Sequence, residues 1–110
     1  MKLQITAVFD STTTKSNGQQ VMKMKFPYTE IANYSKLLLV LGKPLKSIIV
    51  TEEGEKIKLG NIMLDKITID KDGEAKATIL GILNEMDIQM IPNIIEKVVY
   101  FKIKTDEGEE

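Results

Sequence analysis

Residues 62–83 read Ile-Met-Leu-Asp-Lys-Ile-Thr-Ile-Asp-Lys-Asp-Gly-Glu-Ala-Lys-Ala-Thr-Ile-Leu-Gly-Ile-Leu, and this stretch decides the fold. The segment 62–70 and the segment 75–83 are rich in β-branched and aliphatic residues, which suit a pleated strand. Between them Lys71-Asp72-Gly73-Glu74 supplies the Asp-Gly pair that a tight hairpin turn requires, because glycine takes positive φ without steric cost. Ala77, Ile79 and Gly81 alternate with Thr78, Leu80 and Ile82, the two-residue period of a strand. Apolar groups on both phases predict a strand covered on both sides, with a helix as the cover.

The same period recurs outward from this hairpin. Leu3, Ile5, Ala7 and Phe9 alternate with Lys2, Gln4, Thr6 and Val8, and Met22, Met24 and Phe26 alternate with Val21, Lys23 and Lys25. The polar run from Asp10 to Gln19 between them ends on Asn17-Gly18, predicting a hairpin with a long solvent-projecting connection. The segment 45–51 is Ile/Val-rich and turns through Glu52-Glu53-Gly54-Glu55 into Lys56-Ile57-Lys58-Leu59, with Gly60-Asn61 as a bulge or bend. Val99, Phe101 and Ile103 face inward from a last strand that presents Tyr100, Lys102 and Lys104 outward.

One helix is predicted over about 29–41. Thr29 serves as its N-cap, Glu30 sits in its first turn, and Gly42 followed by Pro44 ends it. Ile31, Tyr34, Leu38 and Leu41 lie three or four apart on one face, with Leu37 widening the stripe. That spacing makes Leu38 a core residue and Leu39 an exposed one. The segment 84–95 reads either as a helical turn opened by Pro92 or as an irregular connection. No internal repeat is visible. These elements make a single α+β domain over residues 1–104: a β-rich antiparallel sheet or partly closed barrel of six to seven strands, with one main helix. Residues 105–110 form an acidic tail expected to fray.

Chemistry is constrained by what the 110 residues lack. There is no histidine, cysteine or tryptophan, and all 15 basic residues are lysines. The imidazole, the thiolate and the bidentate guanidinium are therefore missing, and with them most familiar catalytic pairs. No Ser-His pair, nucleophile elbow or His/Cys metal cluster exists, so no enzyme, metal or cofactor is expected. Asp70-Lys71-Asp72-Gly73-Glu74 lacks calcium-loop spacing and reads as turn chemistry. The pair Asp65 and Asp70 has the chemistry for acid-base work, but nothing marks a cleft around it. The hydroxyl run Ser11–Ser16 lacks the glycine-rich frame of a phosphate loop and reads as a polar loop.

Two binding readings follow. Met86, Met90 and Ile91 lie in the least regular segment and form the candidate surface for another protein. This reading makes the chain a small non-enzymatic inhibitor, adaptor or assembly accessory, acting through that patch or a free strand edge. The alternative is a single-stranded nucleic-acid face built from Lys23, Lys25, Tyr100, Lys102 and Lys104, should their strands be neighbours. The net charge of -1 and an aromatic content of 5 % weigh toward the protein partner, because neither gives a global pull on nucleic acid. Lysine without arginine, together with abundant Ile and Asn, matches AT-rich coding as in a low-GC bacterium or its phage. No leader-like h-region or membrane-length apolar run is seen, so a cytoplasmic protein without membrane attachment is expected.

Overall fold

The computed structural model describes residues 2–105, and the acidic segment 106–110 lies outside the described residues. Six antiparallel strands close into a barrel in the order β1-β2-β5-β4-β3-β6. They are β1 (Lys2–Thr14), β2 (Gln20–Phe26), β3 (Pro44–Thr51), β4 (Lys56–Ile69), β5 (Ala75–Gly81) and β6 (Val98–Thr105). The predicted alternation sets the interior: Ile5, Phe9, Met22, Met24, Phe26, Ile49, Ile57, Leu64, Ile79 and Val99 are all fully buried. Phe26 stacks between Tyr34 and Phe101 at centroid distances of 6.2 and 6.4 Å. Closure pairs every strand on both sides over part of its length, while Lys2–Ala7 of β1 has no β2 partner and Lys56–Asn61 of β4 no β5 partner.

The chain between β2 and β3 departs from the predicted helix. It is a 3-10 turn (Tyr28–Glu30), a single α turn, α1 (Ile31–Tyr34), and a second 3-10 stretch (Ser35–Val40). A 3-10 helix repeats every three residues, so the buried positions are Tyr34, Leu37 and Val40. The expected stripe drifts off this line: Leu38 is 45 % exposed, Leu41 37 % and Ile31 43 %. Leu38 is therefore not a core residue, and Leu37 takes its place. The segment 84–95 is also helical, with α2 (Glu85–Met90) followed by a 3-10 turn (Ile91–Asn93). Asn84 caps α2 by accepting the Asp87 N–H at 2.9 Å. The helical segments leave Ile82, just past the end of β5, 71 % exposed, and the outward Thr78 and Leu80 of β5 are half-buried. The helical segments send Tyr34, Leu37, Val40, Ile91 and Ile94 into the core instead.

Strand β1 runs well beyond Phe9. It bulges at Asp10 and continues to Thr14, where the Thr12 and Thr14 hydroxyls donate to the Gln20 Oε1. The expected long loop is thus mostly strand, and Ser11 to Thr14 are strand residues. Lys56–Leu59 and Ile62–Ile69 likewise form one strand, with a bulge beside Gly60 and another at Asp65.

Register exposes an internal repeat that the sequence hides. A shift of 54 positions takes Pro44–Thr51 onto Val98–Thr105, and a shift of 55 takes Gln20–Phe26 onto Ala75–Gly81. The bulges at Asp10 and Asp65 correspond, as do the turns. Gly18 N–H donates to Lys15 O in one turn, and Gly73 N–H donates to Asp70 O in the other. Gly42 N–H donates to Leu64 O, while Glu96 N–H donates to Phe9 O. Lys43 N–H reaches Val40 O, and Lys97 N–H reaches Ile94 O. The barrel is two β-β-helix-β units related by a pseudo-twofold axis. That axis passes through the Ile48–Lys102 pair in one wall and the Lys23–Thr78 pair in the opposite wall, each of which maps onto itself. The two helical segments therefore sit at opposite mouths of the barrel.

Candidate functional site

The wall built from β1, β6, β3 and β4 carries most of the chemistry. Cross-strand pairing sets its outward residues in three rows. The first is Lys2–Lys104–Lys46–Asn61, the second Gln4–Lys102–Ile48–Lys58, and the third Thr6–Tyr100–Val50–Lys56. Directly opposed like charges destabilise a sheet, so the Lys2–Lys104 pair is not what packing alone would select. A shallow groove of about 690 Å³ crosses this wall, lined by Lys2, Lys46, Lys58, Lys102 and Lys104. Ile48 forms part of its floor, and no carboxylate among the described residues lines it. Lysine stems lie along such a floor while their ammonium groups stay in water, giving an apolar trough with a cationic rim. The Asp87 carboxylate approaches from α2, where it accepts the Lys58 N–H at 3.3 Å.

The nucleic-acid candidates of the sequence divide between two walls. Tyr100, Lys102 and Lys104 belong to this face, with Tyr100 half-buried in the third row. Lys23 and Lys25 do not join them, because β1 lies between β2 and β6. Lys25 is engaged by Asp10 at 3.4 Å, and Lys23 pairs with Ser11 and Thr78 on the opposite wall. Lys2, Lys46, Lys56 and Lys58 are the additions that sequence reading missed. Their outward phase was visible in the alternation, but their neighbourhood depends on β6 inserting between β1 and β3, a pairing distant in sequence.

The candidate protein-binding residues are also separated. Met86 is 78 % exposed, Met90 is partly buried against the core, and Ile91 is only 2 % exposed. Ile91 corresponds to Leu37 in the repeat and plugs its mouth of the barrel, so it presents no surface to a partner. The largest run of exposed apolar side chains is instead Leu38, Leu39 and Leu41, at the end of the first helical segment. No group of three or more Asp or Glu residues is placed to hold a metal among the described residues. No helix among them is long and apolar enough to cross a membrane.

Scans of the sequence against protein-family models, curated proteins and solved structures find no match.

Proposed function

We propose that the protein is a non-enzymatic binding module that holds single-stranded nucleic acid along the lysine wall. The single observation that carries this reading is the groove with five lysines on its rim and an apolar floor. An anionic backbone with flat, partly apolar bases fits both parts of that trough, and the half-buried Tyr100, on the same wall beyond the groove's lining, offers the edge of one ring. The net charge of -1 does not oppose it, because a local array of one sign sets the local field. Each phosphate contacted on a single strand contributes about 0.7 to the slope of log affinity against log salt, so Lys2, Lys58, Lys102 and Lys104 together give a slope of about -2.8.

The test is anisotropy of a labelled oligothymidylate titrated with protein at several salt concentrations. Lys102→Glu/Lys104→Glu is expected to nearly abolish binding, and Tyr100→Ala to cost about 1–3 kcal/mol. Binding that ignores salt, or survives the double charge reversal with the fold intact by circular dichroism, would refute the reading.

A second reading, a protein-binding accessory, is favoured by one observation, the exposed Leu38 and Leu39 at 45 % and 71 %. On that reading the same lysine reversal changes partner affinity by only about 0–1 kcal/mol, as rim charges do. Leu39→Glu then removes it.

A further inference from the structure

Charge is distributed unevenly along this chain. Of its 16 acidic residues, four stand in the five positions 106–110, Asp106-Glu107-Gly108-Glu109-Glu110. The other twelve are outnumbered by 15 lysines, so residues 1–105 carry a net +3 and residues 106–110 carry -4. The acidic segment is joined to the barrel at Thr105, the end of β6. In the lysine wall β6 lies between β1 and β3. Its Lys102 and Lys104, with Lys2 facing Lys104 from β1, line the groove beside that junction, and no carboxylate among the described residues lines it with them. Five residues of chain reach at most about 17 Å from Thr105. Lys102 lies three residues back along β6, about 10 Å at the rise of a strand, and Lys2 is one strand over, about 5 Å from Lys104. All three ammonium groups therefore fall within the span of the four carboxylates. A short tether holds such groups at an effective concentration of about millimolar, so even weak ion pairs are populated.

We infer that the acidic segment 106–110 is an intramolecular competitor for the lysine groove, pairing with Lys2, Lys102 and Lys104 until a stronger polyanion displaces it. The pairing stands on charge and tether alone, while single-stranded nucleic acid as the displacing polyanion rests on the function proposed for the same groove. Exposed ion pairs are individually weak, so the competition is one of a few-fold and yields to a ligand that meets several lysines at once. Isolated anions gain too little to displace the segment, which makes the groove selective for polymers over single charges.

The experiment compares the parent chain with Asp106→Asn/Glu107→Gln/Glu109→Gln/Glu110→Gln, which keeps the length and removes the charge. Lysine acylation is read by mass spectrometry in ligand-free protein at about 20 mM salt, where screening reaches about 20 Å. An ammonium paired with a carboxylate gives up its proton, and so acylates, less readily. Lys2, Lys102 and Lys104 are expected to react about twofold to fivefold faster in the neutralised variant, with Lys23 and Lys76 on the opposite wall unchanged. The same variant should bind labelled oligothymidylate about threefold to tenfold tighter, and the ratio should fall to about one at about 0.3 M salt. Glu52→Gln/Glu53→Gln/Glu55→Gln, which removes three charges from the turn at the other end of β3, should change affinity less than about twofold. Equal acylation in the parent and the neutralised variant overturns the inference, while oligothymidylate binding by both leaves the nucleic-acid reading standing. Protection of the three lysines without oligothymidylate binding by either protein keeps the internal pairing and overturns the nucleic-acid reading. Protection with equal affinities, or a gain matched by the 52–55 variant, overturns the competition. Protection that grows with protein concentration assigns the pairing to a second copy and overturns its intramolecular form.

Discussion

The pseudo-twofold axis relates two positions with one backbone conformation and different residues, Gly42 at φ +75° and Glu96 at φ 67°. Each ends a helical segment and donates its N–H to a strand carbonyl, Leu64 O at 2.9 Å and Phe9 O at 2.6 Å. A side chain held in the left-handed region costs about 1–2 kcal/mol, whereas glycine costs about 0.5–1 kcal/mol through its freer unfolded chain. Glu96→Gly is therefore expected to stabilise the fold by about 0.5–1 kcal/mol. The Glu96 side chain is exposed and makes no hydrogen bond among the described residues that would be lost with it. Gly42→Ala should cost a similar or larger amount, and the cost is purely conformational because a Cβ there meets nothing within 4 Å. Glu96→Ala separates backbone from charge and should be close to neutral, within about 0.5 kcal/mol. Urea unfolding with a shared slope reads these differences, and the glycine variant should raise the thermal midpoint by about 2–6 °C. A loss of stability in Glu96→Gly, or an equal gain in Glu96→Ala, would refute the equivalence of the two caps.

Other outcomes follow from the packing. Leu37→Ala and Ile91→Ala, one in each mouth of the barrel, should each cost about 2–5 kcal/mol by urea unfolding. Leu38→Ala, on the exposed side, should cost less than about 1 kcal/mol, and equal costs for Leu37 and Leu38 would restore a 3.6-residue helix there. EDTA should leave the thermal midpoint in place, and a fall of several degrees would reveal an ion held by the carboxylate turns. Gly73→Ala should destabilise the fold, since φ is +85° and the new Cβ would run into the Tyr28 ring. Tyr28→Ala in the same chain should recover only the steric part of that loss.

Much of the fold was written in the alternation of residues. Strand phase, the Asp72-Gly73 and Asn17-Gly18 turns, and the buried Met22 and Met24 all follow from period-two patterning and turn chemistry. The helix face was misjudged at Leu38 because a run of apolar residues from Leu37 to Leu41 fits a period of 3.0 as well as 3.6. Docking of Tyr34, whose hydroxyl donates to Gly73 O across the mouth of the barrel, selects the tighter one. The repeat stayed hidden because a barrel interior asks only for an apolar group at every second position. Equivalent pairs such as Phe9 and Leu64, or Tyr34 and Ile88, fill it without sharing identity, while Asp10/Asp65 and Gly18/Gly73 are kept at the bulges and turns. The lysine wall needed the ring order β1-β6-β3-β4, and no local signal encodes which distant strands become neighbours.

The twofold arrangement also says where this chain tolerates being cut. Lys2 and Lys104 are paired neighbours on β1 and β6, and the axis maps that junction onto the one between β3 and β4, spanned by the turn 52–55. A circular permutant of residues 2–104 that opens the chain at Gly54 and joins Lys104 to Lys2 by a short linker exchanges the order of the units while keeping the strand pairings. Exposed turns are where such re-wiring succeeds, so the new order of synthesis should reach the same barrel. Each unit would then serve as first or second with equal ease, and folding would have no obligatory leading half.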